Sequence, residues 1–303
     1  MRHSRPLRAY SMTHNDPHEE ALCFTSGGKK LIGITHFPDA STHPENATIG
    51  VIIVVGGPQY RIGAHRQYVH MARFLASHGI PVFRFDYQGI GDSEGQYPGF
   101  EHVSADIYAA IDKFQQQLPT LHNIALWGLC EGASALLLGG AEHPAVSHIV
   151  LANSWVRTEE SHAKAMVKHY YFAKFKDPAF WRKLLSLKID IPKALASASN
   201  SLLGMFKSPN PDNSGSPFPQ RMLQGLKDFK GHVLLLHSGN DLTAREFEDL
   251  ITSDSDWKDV LSHTKLKRAF INDSDHTFSS EQWRTEAASA TLDFLQISAL
   301  SKK

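Results

Sequence analysis

Cys130, Asp241 and His276 are the residues of this 303-residue sequence whose types and order could perform acyl transfer: a nucleophile, an acid and a base. Cys130 lies in Trp127-Gly128-Leu129-Cys130-Glu131-Gly132-Ala133-Ser134. Leu121 to Trp127 reads as a short buried strand and Ala133 to Leu138 as a helix, which puts the thiol on the corner between them. Glycines at i−2 and i+2 give G-x-C-x-G, the spacing of a nucleophile elbow, in which small residues let strand and helix backbones approach. The N–H groups at the start of the helix would favour a thiolate and a developing oxyanion. Taken alone, the same cysteine also reads as a small buried apolar residue.

The elements that must position these groups alternate in type. Ala21 to Phe24 and Leu31 to Phe37, separated by Ser26-Gly27-Gly28, read as an opening antiparallel hairpin. Ile49 to Val55 is a continuous apolar run of the kind buried on both faces of a parallel sheet. A helix is expected over residues 65–78, with Tyr68, Met71, Ala72 and Leu75 on one face. Strands at 82–85, before Cys130 and at 146–151 then alternate with helices at 103–114 and after Cys130. Alternation stops at 155–220, which is rich in aromatic residues and Lys and ends in Ser208 to Pro217, a turn-rich loop. It resumes with a helix at 218–229, a strand at 233–237, a helix at 244–251, a short strand at 268–271 and a final helix at 280–297. This pattern predicts a mostly parallel sheet with helices on both faces and right-handed crossovers.

In such sheets ligands gather at the carboxyl ends of strands. Asp241 follows the strand at 233–237 within Ser238-Gly239-Asn240-Asp241, and His276 follows the strand ending near Ile271 within Asp273-Ser274-Asp275-His276. Nucleophile, acid and histidine thus come in the order of an α/β triad, each after a strand. Asp241 also reads as a cap for a helix starting at Thr243, and His276 as an ordinary loop histidine. Asp254, Asp273 and Asp275 are weaker candidates for the acid.

Lys plus Arg equals Asp plus Glu at 31 each, so no net field recruits nucleic acid or an anionic membrane. Two distant cysteines give no disulfide framework and suit a reducing cytoplasm, the expected location. The histidines show no metal-ligand spacing, so no metal and no cofactor are expected. Residues 1–20 read as a flexible leader without a signal-peptide apolar core, and no stretch is long enough to span a membrane.

The chain from about Ala21 onward resembles the α/β-hydrolase family. Asp86-Tyr87-Gln88-Gly89-Ile90-Gly91-Asp92-Ser93 is similar to that family's D-x-R-G-x-G-x-S loop, with Gln88 where Arg is usual. More narrowly, Gly56-Gly57-Pro58-Gln59-Tyr60-Arg61, Gly-Leu-Cys-Glu-Gly and Asn153-Ser154-Trp155-Val156-Arg157 resemble the hydrolases associated with exosortase A and exopolysaccharide systems. The resemblance implies an α/β-hydrolase core at 21–154 and 218–303 with a helical cap at 155–217. It implies an oxyanion hole made by the backbone N–H of Glu131 and one from the loop after the third strand. Gly56 stands where that loop usually has His and Pro58 has no N–H, which leaves Gln59 as the expected second donor. Arg61, His65, Arg66 and Arg157 are candidates for an anionic substrate group, or a solvated basic face. The Glu131 side chain is expected to pair with Arg61 or Arg66.

The expected activity is hydrolysis of an ester, lactone or thioester of a small-molecule acyl substrate through a Cys-His-Asp triad. Transfer of the acyl group to an acceptor other than water, and a non-catalytic scaffold that binds a partner, are the alternatives. A homodimer is compatible with the sequence.

Overall fold

The computed structural model describes residues 18–38, 47–57, 59–156 and 217–300, with side chains to residue 296. The chain divides into a unit of Met1–Trp155 with Phe218–Lys303 and a second unit, Val156–Pro217. All elements described below belong to the first unit. The body of the expected cap, most of the expected leader and Arg157 lie outside the described residues.

The strands are β1 (His18–Ser26), β2 (Lys29–Phe37), β3 (Ile49–Val54), β4 (Val82–Phe85), β5 (Asn123–Leu129), β6 (Val146–Ala152), β7 (His232–Ser238) and β8 (Lys265–Ile271). The helices are α1 (Gln67–Ser77), α2 (Ser104–Gln117), α3 (Glu131–Leu137), α4 (Phe218–Asp228), α5 (Leu242–Ser253), α6 (Ser255–His263) and α7 (Glu281–Leu300). One eight-stranded sheet runs β1-β2-β4-β3-β5-β6-β7-β8. The β1-β2 and β2-β4 pairs are antiparallel and every pair from β4 to β8 is parallel. This is the mostly parallel sheet expected from the alternation of elements, and the α/β-hydrolase fold that the resemblance implies.

Burial follows the apolar patterning. Val51 to Val54 are wholly inaccessible, because β3 lies mid-sheet with both faces covered. The α1 face formed by Tyr68, Met71, Ala72 and Leu75 is buried as its periodicity predicts. No described helix is long and apolar enough to cross a membrane.

Several boundaries differ from the sequence reading. The opening strand starts at His18, so the expected leader gives up its last residues to the sheet, where they pair with β2. Helix α1 begins at Gln67 because His65 and Arg66 have positive φ (52° and 58°), which α-helical geometry excludes. Strand β8 begins at Lys265 on the sheet edge, and its lysines fit an edge strand while weakening any apolar signal. Helix α6 was not anticipated. Asp254 starts it by accepting N–H bonds from Asp256 (2.9 Å) and Trp257 (3.2 Å), and it buries Trp257 and Leu261.

Candidate active site

Strand β5 ends at Leu129 and α3 begins at Glu131, so Cys130 alone turns the corner, with φ 58° and ψ −124°. Backbone held in so sparsely populated a region costs about 1–3 kcal/mol, and it persists where surrounding contacts enforce it. Here Cys130 N donates to Ala152 O at 2.9 Å, while Cys130 O accepts from Ser134 N at 3.2 Å and Trp155 N at 3.3 Å. The flanking glycines are required by proximity. A β-carbon on Gly128 would lie 2.6 Å from Ala133 N, and one on Gly132 would lie 2.4 Å from Val54 O. Cys130 is a free, partly accessible thiol at this corner.

Asp241 is the N-cap of α5, accepting from Thr243 N at 3.2 Å and Ala244 N at 3.0 Å. The same carboxylate lies 2.8 Å from His276 Nδ1. Capping and orienting a histidine are therefore performed together, since the cap bonds fix the carboxylate that the imidazole meets. With Nδ1 on Asp241, Nε2 is the ring nitrogen left free of that carboxylate, and the Cys130 side chain lies near enough to act on the same imidazole. The three side chains, from the β5-α3, β7-α5 and β8-α7 connections, are thus brought to neighbouring positions.

Burial disfavours the His276 imidazolium, but its hydrogen bond to the Asp241 carboxylate, and its interactions with Cys130 and with the Asp241 charge, outweigh that and raise its pKa from 6.5 to about 10. At neutral pH this value favours the imidazolium, with Asp241 as its anionic partner. Because the folded value is raised, the stabilisation it brings is complete below the unfolded value and lost as pH rises through about 10. The same titration removes the acid that protonates a leaving group. We expect kcat/KM to fall on the alkaline side as pH passes about 10, and stopped-flow pH profiles check this. A fall centred near pH 6.5 would contradict it.

The other acidic candidates have separate employment. Asp254 caps α6, and Asp275 accepts from Thr277 N (3.1 Å), Ser279 N (3.0 Å) and the Ser279 hydroxyl, which organises the turn into α7. Asp273 occupies a turn position with φ 59°.

Asn153, beyond the end of β6, is a contributor that residue types alone did not mark. It is wholly buried with φ 43°. Its Nδ2 donates to Ser238 Oγ at 2.8 Å and to His276 O at 3.0 Å, and its Oδ1 accepts from Ser238 N at 2.8 Å. Ser238 Oγ in turn donates to Asp275 O at 2.8 Å. Two neighbouring carbonyls of the histidine loop are thereby tied to the ends of β6 and β7. Asn153→Ala is expected to lower kcat about 10- to 100-fold with KM changed less than about threefold, because it misplaces the imidazole without touching substrate. Steady-state kinetics with an activated ester read this split.

The remaining sequence candidates fall differently. Arg61 does not present a free guanidinium: it ion-pairs with Asp86 and with Asp92 (2.8 Å), and its backbone N–H also meets Asp86 at 2.6 Å. This corrects its expected role toward an anionic substrate group, and equally its expected pairing with Glu131. The Glu131 carboxylate instead accepts the Gly57 N–H at 3.0 Å, and burial raises its pKa more than that bond lowers it. His65 and Arg66 are exposed on the left-handed segment before α1, and the His65 charge acts on Asp275. The side chain of Gln59 accepts from Ala64 N at 3.3 Å. Ser93 accepts from Ile32 N at 2.9 Å and donates to Asp86 O at 3.0 Å, tying its loop to the sheet, while Gln88 bonds Asp106 through backbone and side chain. Among the described residues no three His, Cys, Asp or Glu side chains gather as a metal site.

Comparison with known proteins follows the same lines. The chain is 25% identical over 287 residues to the uncharacterized protein YfhR of Salmonella typhi, covering 94% of this chain and 83% of that protein. Its fold is similar to that of the esterase Pf2001 of Pyrococcus furiosus, with TM-score 0.61 and 17% identity over 97% of this chain and 95% of the other. It is also similar to Est1E of Butyrivibrio proteoclasticus with ferulic acid bound, with TM-score 0.58 and 17% identity over 92% of this chain and all (100%) of the other. The family model described as serine aminopeptidase, S33, matches residues 48–209, a span that runs from β3 through the nucleophile corner. The chain belongs to this Hydrolase_4 family and is an enzyme of the α/β-hydrolase class, with Cys130 on the corner between β5 and α3.

Proposed function

We propose that the protein hydrolyses a carboxylic ester, lactone or thioester through Cys130, with His276 as proton carrier and Asp241 as its orienting carboxylate. The observation that carries this reading is the 2.8 Å hydrogen bond between Asp241 and His276 Nδ1, on an imidazole that the Cys130 side chain also acts on. The Cys130 sulfur attacks the substrate carbonyl carbon, an S–C bond forms, and the carbonyl electron pair moves onto oxygen. As the tetrahedral intermediate collapses, the bond to the leaving oxygen or sulfur breaks and the imidazolium of His276 supplies its proton. Neutral His276 then takes a proton from water, which attacks the thioester and releases the acid and free Cys130. Two backbone amides are assigned to the oxyanion, those of Glu131 and of the loop after β3.

Family membership and the esterase folds support hydrolysis, and the ester class is the one those similar structures name. This chain carries a cysteine at the nucleophile position, in a family described as serine aminopeptidase. A helical cap at 155–217, a cytoplasmic setting and a role beside exosortase and exopolysaccharide systems belong to the same proposal, the last two supported by cysteine usage and by the resemblance of its motifs.

Intact-mass spectrometry after brief exposure to p-nitrophenyl acetate tests this reading. A 1:1 acetyl adduct is expected on wild type and absent from Cys130→Ala. An adduct that survives that substitution, or none on either protein, would overturn it. Turnover that requires an added alcohol acceptor would replace hydrolysis by transfer.

A further inference from the structure

The residue after the nucleophile occupies a position that the proposed reaction needs. The Gly56 backbone presses on the nucleophile corner so closely that a β-carbon there would lie 2.1 Å from Leu129 O and 3.1 Å from Glu131 N. The next amide along the loop is the Gly57 N–H, two residues before the expected donor Gln59. That N–H already has an acceptor: Glu131 Oε2 at 3.0 Å. A carboxylate oxygen presents the same negative, planar acceptor that a developing oxyanion presents, and the two compete for one N–H.

We propose that the Glu131 carboxylate is a resident occupant of the oxyanion position, which the substrate's carbonyl oxygen must displace from the Gly57 amide before Cys130 is acylated. This rests on the acyl-transfer reading above. Glu131 becomes a rate- and specificity-determining residue: carbonyls whose oxygen gathers charge early in the attack displace it best, which favours activated esters and thioesters over amides. The alternative berth for the carboxylate is also present. Tyr87, from the loop after β4, is fully buried with no hydrogen-bond partner for its hydroxyl among the described residues, and it and Tyr97 feel the Glu131 charge. In the displaced arrangement Tyr87 donates to Glu131, which satisfies a hydroxyl left unpaired in the arrangement observed. On the other side of the corner, Cys130 is faced by His276 and by the buried Tyr68 of α1.

The test compares two rates at Cys130 in the same protein: burst acylation by p-nitrophenyl acetate, which builds an oxyanion, and alkylation by iodoacetamide, which does not. Their ratio removes changes in sulfur reactivity. Glu131→Ala is expected to raise the ratio at least about fivefold, and Glu131→Gln, which keeps an acceptor without the charge, to raise it less. Tyr87→Phe is expected to lower it at least about twofold, since the displaced carboxylate loses its donor. A ratio for Glu131→Ala within twofold of wild type, or below it, would overturn the proposal and leave Glu131 as a tether for the loop. Should the alanine variant not fold, the glutamine variant decides in the same way. An acyl adduct on wild type without a rise in the ratio sinks only the occupant role. No adduct on any variant, with iodoacetamide still labelling Cys130, sinks the acyl-transfer reading and this proposal together.

Discussion

Cys130→Ala is expected to lower kcat/KM for an activated ester by at least about 10⁴-fold while the protein remains folded. The loss follows from the chemistry of the relay: without sulfur, no S–C bond forms, and the Asp241–His276 pair (2.8 Å) has nothing to activate. Stability should be affected little. The side chain removed is small and partly accessible, and the backbone bonds that enforce the corner, such as Cys130 N to Ala152 O at 2.9 Å, do not involve it. Cys130→Gly should be inactive yet more stable than the alanine variant by about 1 kcal/mol, because glycine adopts φ 58° without steric cost. Cys130→Ser is expected to lose at least about 100-fold: a hydroxyl gives up its proton far less readily than a thiol, so neutral His276 must deprotonate the nucleophile during attack. Melting curves beside ester kinetics test all three, and a Cys130→Ala protein that folds and keeps wild-type turnover would refute the assignment.

The second large effect is at Asp241, where two jobs of one carboxylate can be pulled apart. Asp241→Asn is expected to cost about 10³- to 10⁴-fold in kcat with a smaller loss of melting temperature than Asp241→Ala, since its one amide oxygen still accepts a cap bond where the two carboxylate oxygens met Thr243 and Ala244, but no longer holds an imidazolium. Asp241→Ala should lose as much activity and, in addition, about 1 kcal/mol of stability from the uncapped α5. The alkaline fall in activity should also move, because the raised pKa of His276 depends on the Asp241 hydrogen bond and charge. In the asparagine variant that limb is expected at lower pH than in wild type. An Asp241→Asn enzyme with an unchanged alkaline limb would show that another group sustains the imidazolium.

The serine named in the family description and the cysteine found here impose different demands on the histidine. A serine relay needs a neutral imidazole at rest, because the hydroxyl gives up its proton only during attack. A sulfur relay works from a preformed ion pair, with the imidazolium serving as acid when the leaving group departs. The strongly raised His276 suits the second scheme. Glu131 adds negative charge at the same corner and takes up the Gly57 amide, which points to a site whose resting state is closed to weak electrophiles.

Much of the architecture was legible because it rests on local pattern. A continuous apolar run such as Val51-Ile52-Ile53-Val54 can be stable only where both faces are covered, and G-x-C-x-G has few uses other than a tight corner. Where the reading slipped, local signals were weak or divided. The edge strand β8 is interrupted by Lys265, Lys267 and Arg268, so its apolar content pointed only to its last residues. Residues 65–66 have helical composition, yet their backbone turns the other way before α1 begins.

The sequence by itself determined the order nucleophile, acid, histidine and the strand ends that carry them, since strand-turn-helix periodicity and glycine spacing are properties of neighbouring residues. What only the tertiary structure decided is which of the charged and polar groups meet. Arg61 was drawn to Asp86 and Asp92, Glu131 to the Gly57 amide, and Asn153 to the histidine loop 123 residues away. A side chain's partner is chosen by the three-dimensional packing of distant segments and by the cost of leaving a buried polar group unpaired, neither of which is written in the residues beside it.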